Sequence, residues 1–152
     1  MRKLLFVLLC LFSGACFAVP PHSLTLSADL LSRQPRAEAT ASVHGAKPSK
    51  WSGVRLQSLL ASIFALPSGE KLRGPRLATA VRLTAADGYQ VVFSLGELDE
   101  TLGHLEVLIA DRQDGAPLPA QDGPFRLVVP SDKRGARWVR QLVRIEVLEL
   151  KE

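Results

Sequence analysis

One stretch of this chain repeats apolar residues at helical spacing, and that limits what the rest can build. From about Arg55 to Leu66, the residues Leu56, Leu59, Leu60, Ile63 and Phe64 follow the i, i+3, i+4, i+7, i+8 pattern that lines one helix face. Pro67-Ser68-Gly69 ends that helix. Elsewhere the apolar residues recur at period two, or in compact runs, between Gly, Pro and Asp punctuation, which is how half-buried strands read. The strand candidates are Leu24 to Leu30, Glu38 to His44 with Ala39, Ala41 and Val43 on one face, Leu77 to Thr84, Tyr89 to Phe93, Leu105 to Ala110, Phe125 to Val129 and Val143 to Leu150. Asp87-Gly88 predicts a hairpin turn between two of them. Ser94 with Glu97 three residues on predicts a capping box. Lys47 to Lys50, Lys71 to Arg76, Asp111 to Gly123 and Ser131 to Gly135 read as loops, and Ala136 to Leu142 as a short helical turn. Many short strands with one good helix predict a mixed α+β domain, not a parallel doubly wound sheet.

The start of the chain reads as an export leader. Arg2 and Lys3 precede the apolar run Leu4 to Phe12, and Ser13-Gly14-Ala15-Cys16-Phe17-Ala18 is a small-residue exit, so cleavage is expected after Ala18 and the product in the periplasm. A lipidated Cys16 is the competing reading, but Ser13 stands where a large aliphatic residue is usually wanted. Without the leader, Lys plus Arg falls from 19 to 17 while Asp plus Glu stays at 15, leaving a net charge of +2. Both cysteines, Cys10 and Cys16, leave with it. The product then has no disulfide, no thiolate metal ligand and no thiol nucleophile. So small a net charge also argues against nucleic acid as a partner, since that binding rests on many phosphate contacts.

Catalytic constellations are sparse. No serine sits in a Gly-x-Ser-x-Gly elbow, and His22, His44 and His104 are isolated, with no acidic partner at metal spacing. Glu97, Asp99 and Glu100 read as a solvated face. The most uneven charge lies between Arg126 and Arg144, where Arg126, Lys133, Arg134, Arg137, Arg140 and Arg144 oppose the single acid Asp132. Arg137, Arg140 and Arg144 would share one face if the segment were helical throughout, and such a cluster can receive a phosphate or carboxylate.

Several segments, in order, resemble a known family. They are Trp51-Ser52-Gly53-Val54-Arg55-Leu56 leading into Leu59-Leu60, then Asp87-Gly88-Tyr89, then Leu108-Ile109-Ala110 followed by Asp114 to Pro119. Gly123-Pro124-Phe125-Arg126-Leu127-Val128-Val129-Pro130 and Gly135-Ala136-Arg137-Trp138-Val139-Arg140 to Ile145 complete the series. Together they resemble the molybdopterin-binding oxidoreductase domain of the sulfite oxidase family, over roughly residues 38 to 150. The resemblance implies that family's α+β fold, with mixed sheets and a few short helices. It divides the chain into a leader (1–18), an extended N-terminal segment (19–37) and the domain (38–152).

In the family's enzymes a cysteine upstream of the Trp-x-Gly segment ligates molybdenum. The matching stretch here, Ala39 to Gly45, has none, and ten residues before Trp51 stands Ala41. A methyl or hydroxyl does not replace a soft thiolate on molybdenum. The resemblance places cofactor contacts at Gly135, Ala136 and Arg137, with Arg140 at the next basic position. Trp138, Tyr89 and Trp51 are the rings available to a pterin, Asp132 and Asp87 the carboxylates, and His44 would line the same cleft. The expectation is therefore a non-catalytic protein that binds a pterin or molybdopterin-like ligand without a metal. It would report that ligand to the periplasmic domain of an inner-membrane signalling protein, a cyclic-di-GMP enzyme. The runner-up is a molybdopterin-dependent oxidoreductase, and a structural domain with a vestigial pocket is the third reading.

Overall fold

The period-two runs do pair, and they pair antiparallel throughout. A computed structural model describes residues 22–43 and 45–150. The expected export leader (1–18) and His44, an expected cleft residue, lie outside the described residues. The first sheet has the order β1-β9-β4-β5, from Ser23–Thr25, Leu142–Glu149, Thr79–Ala85 and Gln90–Ser94. In the second, β2 (Arg36–Ala41), β3 (Ser49–Arg55) and β6 (Leu108–Gln113) lie side by side, with β7 (Ala116–Pro117) and β8 (Arg126–Val128) also paired to β6. The α-helices are α1 (Ala28–Ser32), α2 (Leu56–Ser62) and α3 (Leu95–Leu98). One apolar core joins both sheets and α2, with Val81, Leu83, Phe93, Ile145, Val54, Ile109, Leu127 and Leu59 all fully buried. Among the described residues no helix is long and apolar enough to cross a membrane. The mixed α+β architecture is as the sequence predicts.

The differences have local causes. The expected strand from Leu24 to Leu30 stops at Thr25, because Ser27 caps a helix there: its hydroxyl accepts the Leu30 N–H and Asp29 sits in the first turn. Alternation places Leu24, Leu26 and Leu30 on one face, whereas the helical turn buries Leu26 and Leu31 and leaves Leu30 half-buried. Helix α2 ends at Ser62, short of Leu66, where Ala65 takes a positive φ of 51°. Lys50 and Ser49, read as loop, open β3, and β6 runs on to Gln113 to form a hairpin with β7 across Asp114-Gly115. The Asp87-Gly88 hairpin and the Ser94–Glu97 capping box are both present.

Two features of the sheets matter below. Gly53 admits no side chain: a Cβ there would lie 2.0 Å from the Ile109 carbonyl oxygen, in the middle of the β3–β6 pairing. The first sheet also has two distinct ends. β1 and β4 start where β9 finishes, with Thr79 opposite Glu149 and the Val147 N–H donated to the His22 carbonyl. At the other end β9 begins, and Gln141 bonds to Ala86 and Asp122.

Candidate functional site

The segment Asp122 to Leu142 crosses from the second sheet to the first, and the basic cluster rides on it. After β8, Pro130 closes the strand and Gly135–Arg137 forms a single 3-10 turn. No helix runs through Arg144, so Arg137, Arg140 and Arg144 do not share a face. Arg144 lies in β9, beside Glu146 at 3.4 Å. The extended backbone of β9 corrects the expectation of one helical arginine face.

Arg137 turns inward to the protein's own carboxylates. Its Nε and Nη2 donate to Asp132 at 2.9 and 2.6 Å, and its Nη1 donates to Glu97 at 2.9 Å. Its guanidinium carbon lies 4.8 Å from the centre of the Phe93 ring. The bidentate bond to Asp132 raises its pKa above the ordinary arginine value, against burial and with help from Glu97. Each guanidinium nitrogen is thus occupied by a fixed anion. Glu97 closes the α3 capping box with its other oxygen, accepting the Ser94 N–H at 2.9 Å. Asp132, a candidate carboxylate for the pterin edge, spends both oxygens on Arg137. Ala136 is exposed, and its carbonyl accepts the Tyr89 hydroxyl at 2.8 Å. Gly135 opens the turn, and its carbonyl accepts the Trp138 N–H.

Trp138 and Trp51 are buried edge to face, with ring centres 5.8 Å apart. Each indole N–H is satisfied by a carbonyl, Trp138 on Val129 and Trp51 on Ala41. Ala41, ten residues before Trp51 and the expected counterpart of the family's thiolate, is itself buried at the end of β2. Tyr89 is the exposed ring of the three, and Asp87 is engaged with the Tyr89 N–H in the hairpin turn.

Against the two indoles lies a residue that sequence reasoning left inside the general basic cluster. The Arg126 guanidinium sits 5.3 Å from the Trp51 ring centre and 5.9 Å from that of Trp138. Its side chain is only 12% exposed, and its Nε has no hydrogen-bond partner. Burial lowers its pKa; Asp122 opposes that, and Arg140 adds to it. Asp122 pairs with Arg126 at 3.1 Å and stands 4.0 Å from Arg140, which is 65% exposed. Two guanidinium groups therefore converge on one carboxylate. The signal was legible as Asp122 four residues before Arg126, but Asp122 lies just outside the stretch where charges were counted.

The chemistry of the donor set can be weighed against the group that this fold family implies. The β2 end supplies a methyl and no soft ligand for molybdenum, and among the described residues no trio of His, Cys, Asp or Glu comes together. The metal does not fit as the family's enzymes hold it. Arg126 and Arg140 share one carboxylate, Asp122, so their guanidinium groups are the donors here that are not fully matched by the protein's own acids.

No curated protein matches the chain. The family model described as the oxidoreductase molybdopterin binding domain matches residues 23–152, beginning before the expected boundary at residue 38 and taking in β1 and α1. By that match, and by its antiparallel sheets with a few short helices, the chain belongs to the molybdopterin-binding oxidoreductase domain family.

Proposed function

We propose that this chain is an exported, non-catalytic pterin-binding protein that reports its ligand to a membrane signalling enzyme of the cyclic-di-GMP class. The observation that carries the reading is the surplus of arginine at Asp122. A half-buried guanidinium with an unpartnered Nε, beside a second and exposed one, leaves positive charge that the protein does not neutralise. A pterin answers that surplus with its carbonyl and ring-nitrogen acceptors, and a molybdopterin-like ligand with its phosphate as well. Arg126 and Arg140 would make those contacts, and Gly135, Ala136 and Trp138 would shape the wall. Arg137 and Asp132 would hold the turn in place.

The non-catalytic part rests on Ala41, whose methyl stands where a thiolate is needed. Export to the periplasm rests on the leader, and the signalling partner on the resemblance to small periplasmic pterin sensors. Calorimetric titration of the protein with a tetrahydropterin should give saturable one-to-one binding, weakened about tenfold or more in Arg126→Met, since tenfold is about 1.4 kcal/mol, within reach of a hydrogen bond to a charged group. Absence of binding by the wild type would sink the reading. Stoichiometric molybdenum in protein from a cofactor-competent host would favour the oxidoreductase instead. Pull-down against the periplasmic domain of a neighbouring membrane enzyme, with and without pterin, tests the partner.

A further inference from the structure

Besides its two ends, the first sheet has two edges, and they are not alike. On one side stands β1, only three residues long. On the other stands β5, Gln90-Val91-Val92-Phe93-Ser94, paired with β4 along one side only. Its hairpin turn lies at the end where β9 begins, and that turn fixes which backbone groups face β4. The Ala85 N–H is donated to the Tyr89 carbonyl, so the bonded partners fall at every second residue after it, Leu83 with Val91 and Val81 with Phe93. The N–H and C=O groups of Gln90 and Val92 therefore point away from the sheet. The Ser94 N–H points the same way and is taken by the Glu97 carboxylate. Among the described residues no hydrogen bond reaches the four groups of Gln90 and Val92. Both side chains are exposed, Val92 by 52%. Such an edge is a template for another strand, and proteins usually blunt it with charge, proline or a bulge. β5 has no charged residue and no proline, and its pairing with β4 runs without a shift. β2, at the edge of the second sheet, carries Arg36 and Glu38.

We infer that β5 pairs antiparallel with β5 of a second copy of this chain, in a dimer whose two-fold axis passes through the Val91 pair. That register sets Gln90 opposite Val92 of the second copy. The Gln90 N–H is then donated to the Val92 carbonyl across the axis and the Val92 N–H to the Gln90 carbonyl, and the symmetry repeats both bonds. Every outward group of both strands is satisfied. A register centred on Val92 does worse, because it sets Gln90 against Ser94, whose N–H already belongs to Glu97. The side chains accept the same symmetry. With no charge on the strand, no like charges meet across the axis, and β-branched Val91 and Val92 suit a paired, pleated surface. Tyr89, 50% exposed, lies two residues from the axis, where an aromatic ring adds contact area. An isologous contact requires a surface that complements itself, and the positions of the free groups on β5 meet that requirement, which commits the edge to a copy of the same chain. The four strands of each copy become one continuous sheet. One strand pair is a small interface, so the association is reversible. This surface does not depend on the pterin reading, and either can fail without the other.

Light scattering of the purified protein should give the monomer mass at about 1 μM and a mass rising toward the dimer's by about 1 mM, the span in which a small interface associates. Hydrogen exchange followed by NMR locates the contact. The Gln90 and Val92 amides should slow in proportion to the dimer fraction, while Val91, already bonded to β4, keeps its rate. Val92→Pro removes only an outward donor, and Val92→Lys puts a charge at an exposed edge position. Each should raise the dimer dissociation constant about tenfold or more, since the symmetry applies the change twice. Urea midpoints at about 1 μM, where the chain is monomeric, should match wild type for Val92→Lys and so separate lost pairing from lost folding. A protein still monomeric at about 1 mM, or a dimer whose Gln90 and Val92 amides exchange as fast as the monomer's, would overturn the inference. So would dimerisation of both variants at wild-type strength. Protection of those amides only when another protein is added would make the edge a site for a foreign strand and overturn it too.

Discussion

Arg126 and Arg137 are both retained inside the fold, yet replacing each with methionine should have opposite consequences. Arg137→Met removes three charge-assisted hydrogen bonds, two to Asp132 and one to Glu97, and leaves Asp132 largely enclosed without its partner. Such bonds are worth about 1.5–3 kcal/mol each when shielded. Arg137 and Glu97 are each about a third exposed, so solvent screening cuts that sum, and we expect a net loss of about 1–3 kcal/mol. Arg126→Met removes one salt bridge to Asp122 and two contacts with indole rings, terms of about 0.5–2 kcal/mol each. Against this, it relieves the burial of a charge and of an unpartnered Nε, worth about 1–3 kcal/mol, and keeps an apolar stem between the tryptophans. The balance is near zero, within about 1 kcal/mol either way.

Urea denaturation of the two variants beside wild type measures the stability difference, and pterin titration measures the proposed binding. Arg137→Met should lower the midpoint and weaken binding only as far as the turn loosens. Arg126→Met should keep or raise the midpoint while losing binding. A loss above about 3 kcal/mol in Arg126→Met would show that the fold needs this charge, and the argument for a ligand-seeking arginine would fall. Arg137→Met binding as poorly as Arg126→Met, with an unchanged midpoint, would return Arg137 to direct ligand contact.

Three further outcomes follow from the geometry. Gly53→Ala should unfold the protein or cost more than about 4 kcal/mol, because its Cβ would overlap the Ile109 carbonyl at 2.0 Å and force β3 away from β6; an unchanged midpoint would refute the β3–β6 register. Ser94→Ala should cost about 1 kcal/mol as a lost cap, and less in an Arg137→Met background, since both residues hold Glu97; strict additivity in a double-mutant cycle would show that the two oxygens act independently. Asp99 accepts the Thr101 hydroxyl and the Gly69 and Thr101 amides, and these bonds hold its pKa below the ordinary carboxylate value. Its contribution is therefore complete above the unfolded-state pKa and fades as pH falls through the lower, folded one. Asp99→Asn should flatten the acid limb of urea midpoint against pH, and parallel limbs would contradict that.

How much of this could be read from the chain depended on whether a signal was local. The Asp87-Gly88 turn and the Ser94–Glu97 box are complete within a few residues, and both stand as expected. The strands Leu77 to Thr84 and Val143 to Leu150 are displaced by a residue or two, because their apolar alternation is strong. The run from Leu24 to Leu30 misled because its alternation suits a strand, but the Ser27 cap starts a helical turn that buries Leu31 in place of Leu30. At the site, Arg137 was singled out by its place in the closing motif, but its partner Glu97 is forty residues away, and no spacing rule connects them. Arg126 stood in plain view within Phe125-Arg126-Leu127. What sets it apart is enclosure by Trp51 and Trp138, which come from other parts of the chain.

The basic cluster that stood out in the sequence thus separates into three situations, and charge balance tells them apart. Arg144 shares Glu146 with Arg82 on the sheet's outer face, where solvent screens both. Arg137 is matched by two carboxylates, which balance its charge and take three of its five N–H donors. Arg126 and Arg140 have one carboxylate between them, and the more enclosed of the two has an orphaned donor. A fold that needed only stability would not keep a charge there, because an apolar side chain of the same length fills the space between the indoles without the burial cost. That unmatched guanidinium charge beside Asp122 is what the proposed acceptor-bearing ligand rests on, and it stands separately from any chemistry at a metal.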